Sequence, residues 1–227
     1  MNIVVFTGAG ISAESGLKTF RDADGLWEGH KIEDVASPEG WKKNPQRVLD
    51  FYNQRRNDVI EAFPNAAHIG LASLEKDFNV HVITQNIDDL HERGGSTNVL
   101  HLHGEILKMR SEHDDSLISD YTQDIALGDK ASDGKQLRPH IVWFGEAVPL
   151  LDEAKDITRN ADALVIIGTS LVVYPAAGLV LYAGHNIPKF YIDKKIPPVT
   201  NVNNLTRIQK PATEGINELI ELLNELK

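Results

Sequence analysis

Short apolar runs, rich in β-branched residues, recur along the chain: Ile3–Phe6, Val80–Thr84, Val99–Leu102, Ile141–Trp143, Leu164–Ile167 and Phe190–Ile192. Most lack polar alternation, the pattern of parallel strands buried on both faces. Helix-like stretches lie between them. Asn65–Lys76 precedes the second run and Leu151–Asn160 the fifth. Thr213 is placed to N-cap a last helix that carries Ile216, Leu219, Ile220, Leu223 and Leu226 on one face. Strands and helices in alternation predict an α/β fold, a Rossmann-type parallel sheet with helices on both faces.

The alternation breaks twice. Residues 22–63 show helical pattern and loops but no strand, and within them Pro45–Phe63 places Val48, Tyr52, Arg55 and Val59 on one face. Arg110 to Arg138 is polar and rich in aspartate, with a minor core expected from Leu117, Ile118, Tyr121, Ile125 and Leu127. Residues 22–63 and 107–138 are therefore expected to form a smaller inserted domain. Residues 1–21, 64–106 and 139–227 are expected to form the main one.

Ala163 to Gly184 carries no charge, but Gly168-Thr169-Ser170 and Pro175 would break a spanning helix. A buried strand, a turn and an apolar helix after Pro175 are expected there, not a membrane span. The 227 residues suffice for a core without disulfides, and there is no cysteine to make one. That absence fits a reducing cytoplasm. The first residues lack the basic run and the apolar length of a signal peptide, so a cytoplasmic location is expected. Lys and Arg number 23 against 33 Asp and Glu, a net charge of −10. Such a surface repels phosphate backbones, and no nucleic-acid partner is expected.

Candidate chemistry collects at strand ends. Gly8-Ala9-Gly10-Ile11-Ser12-Ala13 follows the first strand and fits a dinucleotide turn, in which glycines let backbone N–H groups approach a pyrophosphate. A glycine-rich turn is also what many strands need. The acidic residue of a dehydrogenase would fall in a loop here, which argues against simple hydride transfer. Thr84-Gln85-Asn86-Ile87-Asp88 ends the second strand with groups able to bond ribose hydroxyls and a carboxamide, or simply to cap a helix. In Leu100-His101-Leu102-His103-Gly104-Glu105, period two puts both histidines on one face, as metal ligands, a general base or core histidines. Val142-Trp143-Phe144-Gly145-Glu146 is either a core aromatic strand or an edge that could pair with a peptide. Gly168-Thr169-Ser170 ends another strand in small polar residues. Arg55 on an apolar stripe requires a carboxylate partner, as an internal salt bridge would supply.

Together, and in this order, these strings resemble the sirtuin family of NAD-dependent protein-lysine deacylases. Phe20-Arg21-Asp22 leading to Gly25-Leu26-Trp27 belongs to the match, which covers nearly the whole chain. Phe51-Tyr52-Asn53-Gln54-Arg55-Arg56 is similar to the acyl-pocket motif of the bacterial class III members, where a Tyr and an Arg bind an acidic acyl group. The resemblance implies NAD as cofactor and acylated lysine as partner. It implies an acyl oxygen attacking the ribose anomeric carbon, His103 as the base for a ribose hydroxyl, and Asn86 and Asp88 as further catalytic residues. Gly8, Ala9, Gly10, Ile11, Ser12, Phe20, Arg21, Trp27, Gln85, Ile87, Gly168, Thr169, Ser170, Asp193 and Ala212 would complete the NAD site. Tyr52 and Arg55 would hold the acyl group, and Val142, Trp143, Phe144, Gly145 and Glu146 the substrate. A protein ADP-ribosyltransferase or a non-catalytic NAD-binding module would use much the same cleft, and the oligomeric state is not implied. Two departures stand out. Most sirtuins carry four zinc cysteines, whereas Met109-Arg110-Ser111 stands where the first would fall, so no zinc and no other metal is expected. Ile192-Asp193-Lys194 stands where the family usually has an Asn.

Overall fold

The computed structural model describes residues 1–19, 27, 29–200 and 202–227. β1 (Asn2–Thr7) shows why its run is unbroken. Ile3 and Val5 enter one core, and Val4 and Phe6 the opposite one. Each such side chain, taken fully out of water, contributes roughly 1.5–3 kcal/mol, so both faces of the strand select apolar residues.

The following elements are α1 (Ile32–Val35), α2 (Pro38–Lys43), α3 (Pro45–Glu61), α4 (Ala66–Ser73), β2 (Asn79–Thr84), α5 (Leu90–Arg93), β3 (Val99–His101), β4 (Gly104–Ser111), β5 (Ile118–Asp120), β6 (Leu137–Ile141), α6 (Leu151–Arg159), β7 (Ala163–Ile167), β8 (Lys189–Ile192), β9 (Leu205–Ile208) and α7 (Ala212–Asn224). The main sheet has the order β3-β2-β1-β7-β8-β9, and its pairs are parallel. α4 and α7 cover one face through Ala67, Leu71, Ile216, Leu219 and Leu223. α6 and a 3-10 stretch, Ala176–Tyr182, cover the other through Ala154, Leu179 and Val180. This is the doubly wound α/β architecture expected from the sequence.

A second, antiparallel sheet has the order β5-β4-β6. Its core joins Val48, Leu49, Tyr52 and Val59 of α3 to Ile106, Leu137 and Ile141. Asn44 caps α3 by accepting Arg47 N–H, and Pro45 at the first position costs no hydrogen bond. The buried Arg56 ties α3 to β4 by donating to the Ile106 carbonyl at 3.0 Å.

Several expectations differ from what is observed. Of the expected strand Ile141–Trp143 only Ile141 is strand, as the last residue of β6, and Val142 and Trp143 beyond it line the cleft. The stretch after Pro175 winds as 3-10 helix, not α-helix. Thr213 does not cap α7. Its N–H and hydroxyl both donate to the Glu14 carboxylate, at 3.2 Å each, and Glu14 thus supplies the cap from another element. Leu226 lies beyond α7 and is exposed. Of the five apolar residues expected in the polar module, Ile125 alone is fully buried. Polar bonds hold this segment instead. Ser111 Oγ donates to Asp133 Oδ2 at 2.6 Å, and Arg110 pairs with Asp115 at 2.8 Å. The Asn53 side chain bonds both the N–H and the carbonyl of Ile125, at 3.0 Å each. Among the described residues, no helix is long and apolar enough to cross a membrane.

Candidate active site

The chain leaves β1 toward β2 and β3 on one side, then returns to β7 and β8 on the other. Such a reversal opens a crevice at the carboxyl ends of the central strands, where open α/β sheets bind ligands. The loops after β1 and β7 meet there. A Cβ on Gly10 would stand 2.6 Å from Gly168 Cα, and Gly168 adopts φ +61°. The N–H groups of Gly8, Gly10, Ile11 and Ser12 all donate to protein carbonyls. In this structure the glycines therefore serve loop-to-loop contact, beyond the ligand approach expected from their spacing.

A cleft of about 550 Å³ opens over these loops. Of the sequence-derived candidates, Gly8, Ala9, Gly10, Ser12, Trp27, Tyr52, Arg55, Gln85, Asn86, Ile87, Asp88, His103, Val142, Trp143, Phe144, Gly145, Glu146, Gly168, Thr169, Ser170, Asp193 and Ala212 line it. Ile11 does not. It is fully buried in the core beneath the loop. Phe20 and Arg21 lie outside the described residues. Lining residues that the motifs did not single out include Leu17, Lys18, Thr19, Val148, Val173 and Tyr174. Their only sequence signal is proximity to a glycine loop or to the Trp-Phe-Gly string.

The end of β2 carries a connected polar set. Asn86 Nδ2 donates to Ser12 Oγ, and Ser12 Oγ donates to Asp88 Oδ2, each at 3.1 Å. Leu90 N–H donates to Asp88 Oδ1 at 3.2 Å. Burial pushes the Asp88 carboxyl above its usual range, against these two hydrogen bonds. Gln85 Nε2 donates across the cleft floor to Thr169 Oγ1 at 2.9 Å. The His103 Nδ1–H donates to the Gln85 carbonyl at 3.0 Å, which fixes the tautomer and leaves the Nε2 lone pair available. Burial holds the His103 pKa below its ordinary value. The ring is therefore neutral and basic at neutral pH.

A second lobe of the cleft is aromatic. Trp27, Tyr52 and Trp143 surround one space, with Trp27 and Tyr52 edge to face at 6.3 Å. The Arg55 guanidinium carbon lies 4.7 Å from the Trp27 ring centroid. Tyr52 Oη and Trp143 Nε1 are buried without a protein hydrogen bond of good geometry. Burial raises the Tyr52 pKa, so the phenol is a neutral donor. Glu146 lines the cleft but is engaged from within. It accepts from Arg138 at 2.7 Å and from Trp143 N–H at 2.8 Å. It thus holds the turn that presents Trp143, Phe144 and Gly145.

The Sir2 family model matches residues 8–175, which hold most of this cleft. The chain belongs to the Sir2 family. A protein of Helicobacter pylori named NAD-dependent protein deacylase is 57% identical over 99% of this chain and 98% of its own. A protein of the same name from Bacteroides thetaiotaomicron is 50% identical over 98% and 97%. A crystal structure of a Sir2 homologue–NAD complex superposes with a TM-score of 0.89 at 37% identity, covering 99% of this chain and 90% of that one. A Sir2–p53 peptide–NAD+ structure does so at 0.81 and 30%, covering 98% and 93%.

This sirtuin has no cysteine. Among the described residues, Glu92, His101 and Glu105 bring ligand atoms within 4.8 Å of one another. Their charges are balanced internally, by His101–Glu92 at 2.7 Å and Lys108–Glu105 at 2.5 Å.

Proposed function

We propose that this Sir2-family chain is an NAD-dependent protein-lysine deacylase, removing acetyl, succinyl and malonyl groups and releasing nicotinamide and O-acyl-ADP-ribose. The observation that carries the reading is the meeting, in one cleft, of a neutral His103 base, the Asn86–Ser12–Asp88 set and an aromatic pocket holding Tyr52 and Arg55.

The cleft residues fit NAD. The glycine loops allow close backbone approach, Gln85 and Thr169 offer polar groups at the floor, and β8 ends in the half-buried Asp193. When bound, NAD supplies an anomeric carbon activated by its nicotinamide leaving group. Asp88 and Ile87 hold a carboxamide, Asp88 through the carboxyl that Ser12 and Leu90 orient. Asn86 and Gln85 bind ribose hydroxyls. His103 Nε2 takes a proton from a ribose hydroxyl, and the Gln85 carbonyl keeps Nδ1 protonated throughout. Phe20 and Arg21 belong to the NAD site in this reading by their motif alone, Trp27 lines it, and Asp193 and Ala212 contact its adenosine half. The turn Val142–Gly145 binds the backbone of the acylated peptide, while Glu146 keeps the turn in shape. Tyr52 and Arg55 bind the distal carboxylate of a succinyl or malonyl group, where a charge-assisted bond contributes roughly 1.5–3 kcal/mol. The same reading takes residues 22–63 and 107–138 as the smaller, substrate-facing domain. A cytoplasmic location belongs to it as well.

The test is mass spectrometry of the protein with NAD and one lysine peptide, acetylated or succinylated. Deacylated peptide and O-acyl-ADP-ribose are expected, and His103→Ala should abolish both. Covalent ADP-ribosylation of protein without deacylated peptide would replace the deacylase with a transferase. Turnover undiminished in His103→Ala would sink the assignment of the base.

A further inference from the structure

Two histidines two residues apart grip two successive carbonyls of the β2 loop. His103 holds Gln85, and His101 Nδ1 lies 3.1 Å from the Asn86 carbonyl oxygen. The far nitrogen of His101, Nε2, lies 2.7 Å from Glu92 Oε1. Both neighbours of the His101 ring are thus acceptors. Either neutral tautomer would set a nitrogen lone pair against an oxygen at hydrogen-bond distance, inside a site where His101 is 8% exposed. The Glu92 carboxyl is held below its usual range and is ionised, so the doubly protonated ring alone satisfies both contacts.

We infer that His101 is a positioning residue for the reaction: as an imidazolium clamped between the Glu92 carboxylate and the Asn86 carbonyl, it fixes the loop that presents Asn86 and Asp88 to NAD. The inference rests on the deacylase reading for its kinetic consequence, but not for its structural content. Asn86 continues the clamp through its side chain to Ser12 and Asp88. The carboxylate end is anchored on α5, whose other side chains are also engaged. His91 Nε2 lies 3.0 Å from Thr7 Oγ1, and Arg93 donates to the Ala62 and Val59 carbonyls. The charged and titratable groups facing His101 are Glu92 and His91 of α5, Glu105 of β4 with Lys108 beside it, and Asp88 of the loop. Burial alone would lower the His101 pKa. The hydrogen bond and charge of Glu92 outweigh it and hold the pKa above the ordinary value.

The sign follows. His101 must stay protonated and His103 unprotonated, so activity falls at acid pH with His103 and at alkaline pH with His101. His103 reads the same loop but is the base itself; His101 touches no reacting atom.

Two readouts test this. Nitrogen-15 NMR of labelled histidine in the wild type should show both His101 nitrogens protonated at neutral pH, and the Asn86 side-chain resonances should titrate with that ring. In Glu92→Gln the same titration should move to lower pH. In the enzyme, Glu92→Gln should move the alkaline limb of kcat/KM for NAD in the same direction. His101→Gln should erase that limb and lower kcat/KM for NAD on the order of tenfold, with the KM for acyl peptide held within about twofold. Circular dichroism of each variant separates unfolding from these effects. A singly protonated His101 at neutral pH, or an alkaline limb that Glu92→Gln leaves in place, overturns the inference. If the wild type turns over no acyl peptide, the deacylase reading fails, and the clamp is then judged on the ring's protonation and the Asn86 titration, which need no turnover.

Discussion

The base proposed at His103 owes its state to one hydrogen bond. Because Nδ1–H is committed to the Gln85 carbonyl, Nε2 is the basic atom, and burial keeps it unprotonated below its ordinary 6.5. The acid limb of kcat/KM should therefore fall below that value, and a limb well above it would show that another group titrates. In the proposed reaction Arg55 carries the acyl preference. Arg55→Met should lower desuccinylation by about 10–150-fold relative to deacetylation, and equal losses in paired peptide assays would return Arg55 to a structural role. His103 was legible from its strand-end position and residue type, and Arg55 from its place on the apolar face of a helix, with the family resemblance assigning each a role. The duty of His101 was not legible. Spacing made the two histidines equivalent and the family resemblance named His103 alone, so the hold of His101 on the loop shows only in its partners, Glu92 and the Asn86 carbonyl.

At the scale of elements, α7 depends on a cap from outside itself. Pro211 offers no side-chain acceptor, and Glu14, on the loop after β1, accepts from Thr213 N–H. Glu14→Ala should lower stability by about 0.5–2 kcal/mol, read as a urea midpoint at unchanged m-value. Because Glu14 adjoins the glycine loop and α7 begins at Ala212, NAD affinity should weaken in the same variant, as calorimetry would show. The cap could not be read from sequence, since donor and acceptor are 199 positions apart. β5 and β9 were missed for a related reason. Both are edge strands with few buried side chains, so they carry no apolar run. The segment between β4 and β6 was assigned a small apolar core and has a polar one, because Ser111, Asp133, Arg110 and Asn53 find partners across the fold. Glu146→Gln should cost roughly 3 kcal/mol, because it leaves the buried Arg138 and Arg110 guanidiniums without their shared carboxylate. Thermal unfolding would read it.

The whole molecule should be sensitive to acid. His68 and His91 are fully buried and stack edge to face at 5.0 Å. Burial pushes His68 down to about 4 and His91 well below its ordinary value. A histidine with a depressed folded pKa contributes stability above the unfolded value of 6.5 and loses it as pH falls. Each should cost about 1.4 kcal/mol per pH unit between roughly pH 6.5 and its folded pKa. His101 works the other way, stabilising below 6.5 and losing that contribution as pH rises through its raised folded pKa. The two effects act on opposite sides of pH 6.5, so below that value only the depressed pair is felt and urea midpoints should fall on acidification. A flat profile across this window would show that the two rings take up protons in the folded state.

Unbroken apolar runs determined a sheet covered on both faces, because a strand touching two cores has no polar side to show. Glycine and small polar residues at strand ends determined where a ligand could sit, and the ordered strings determined the family. The tertiary structure decided which partners hold His101 and His103, that Glu146 serves its own turn, that Glu14 caps a distant helix, and what holds the cysteine-free segment together. Each of these is a choice of partner. A side chain's chemistry and its local periodicity are written in its neighbours along the chain, whereas its hydrogen-bond partner depends on how separate elements pack.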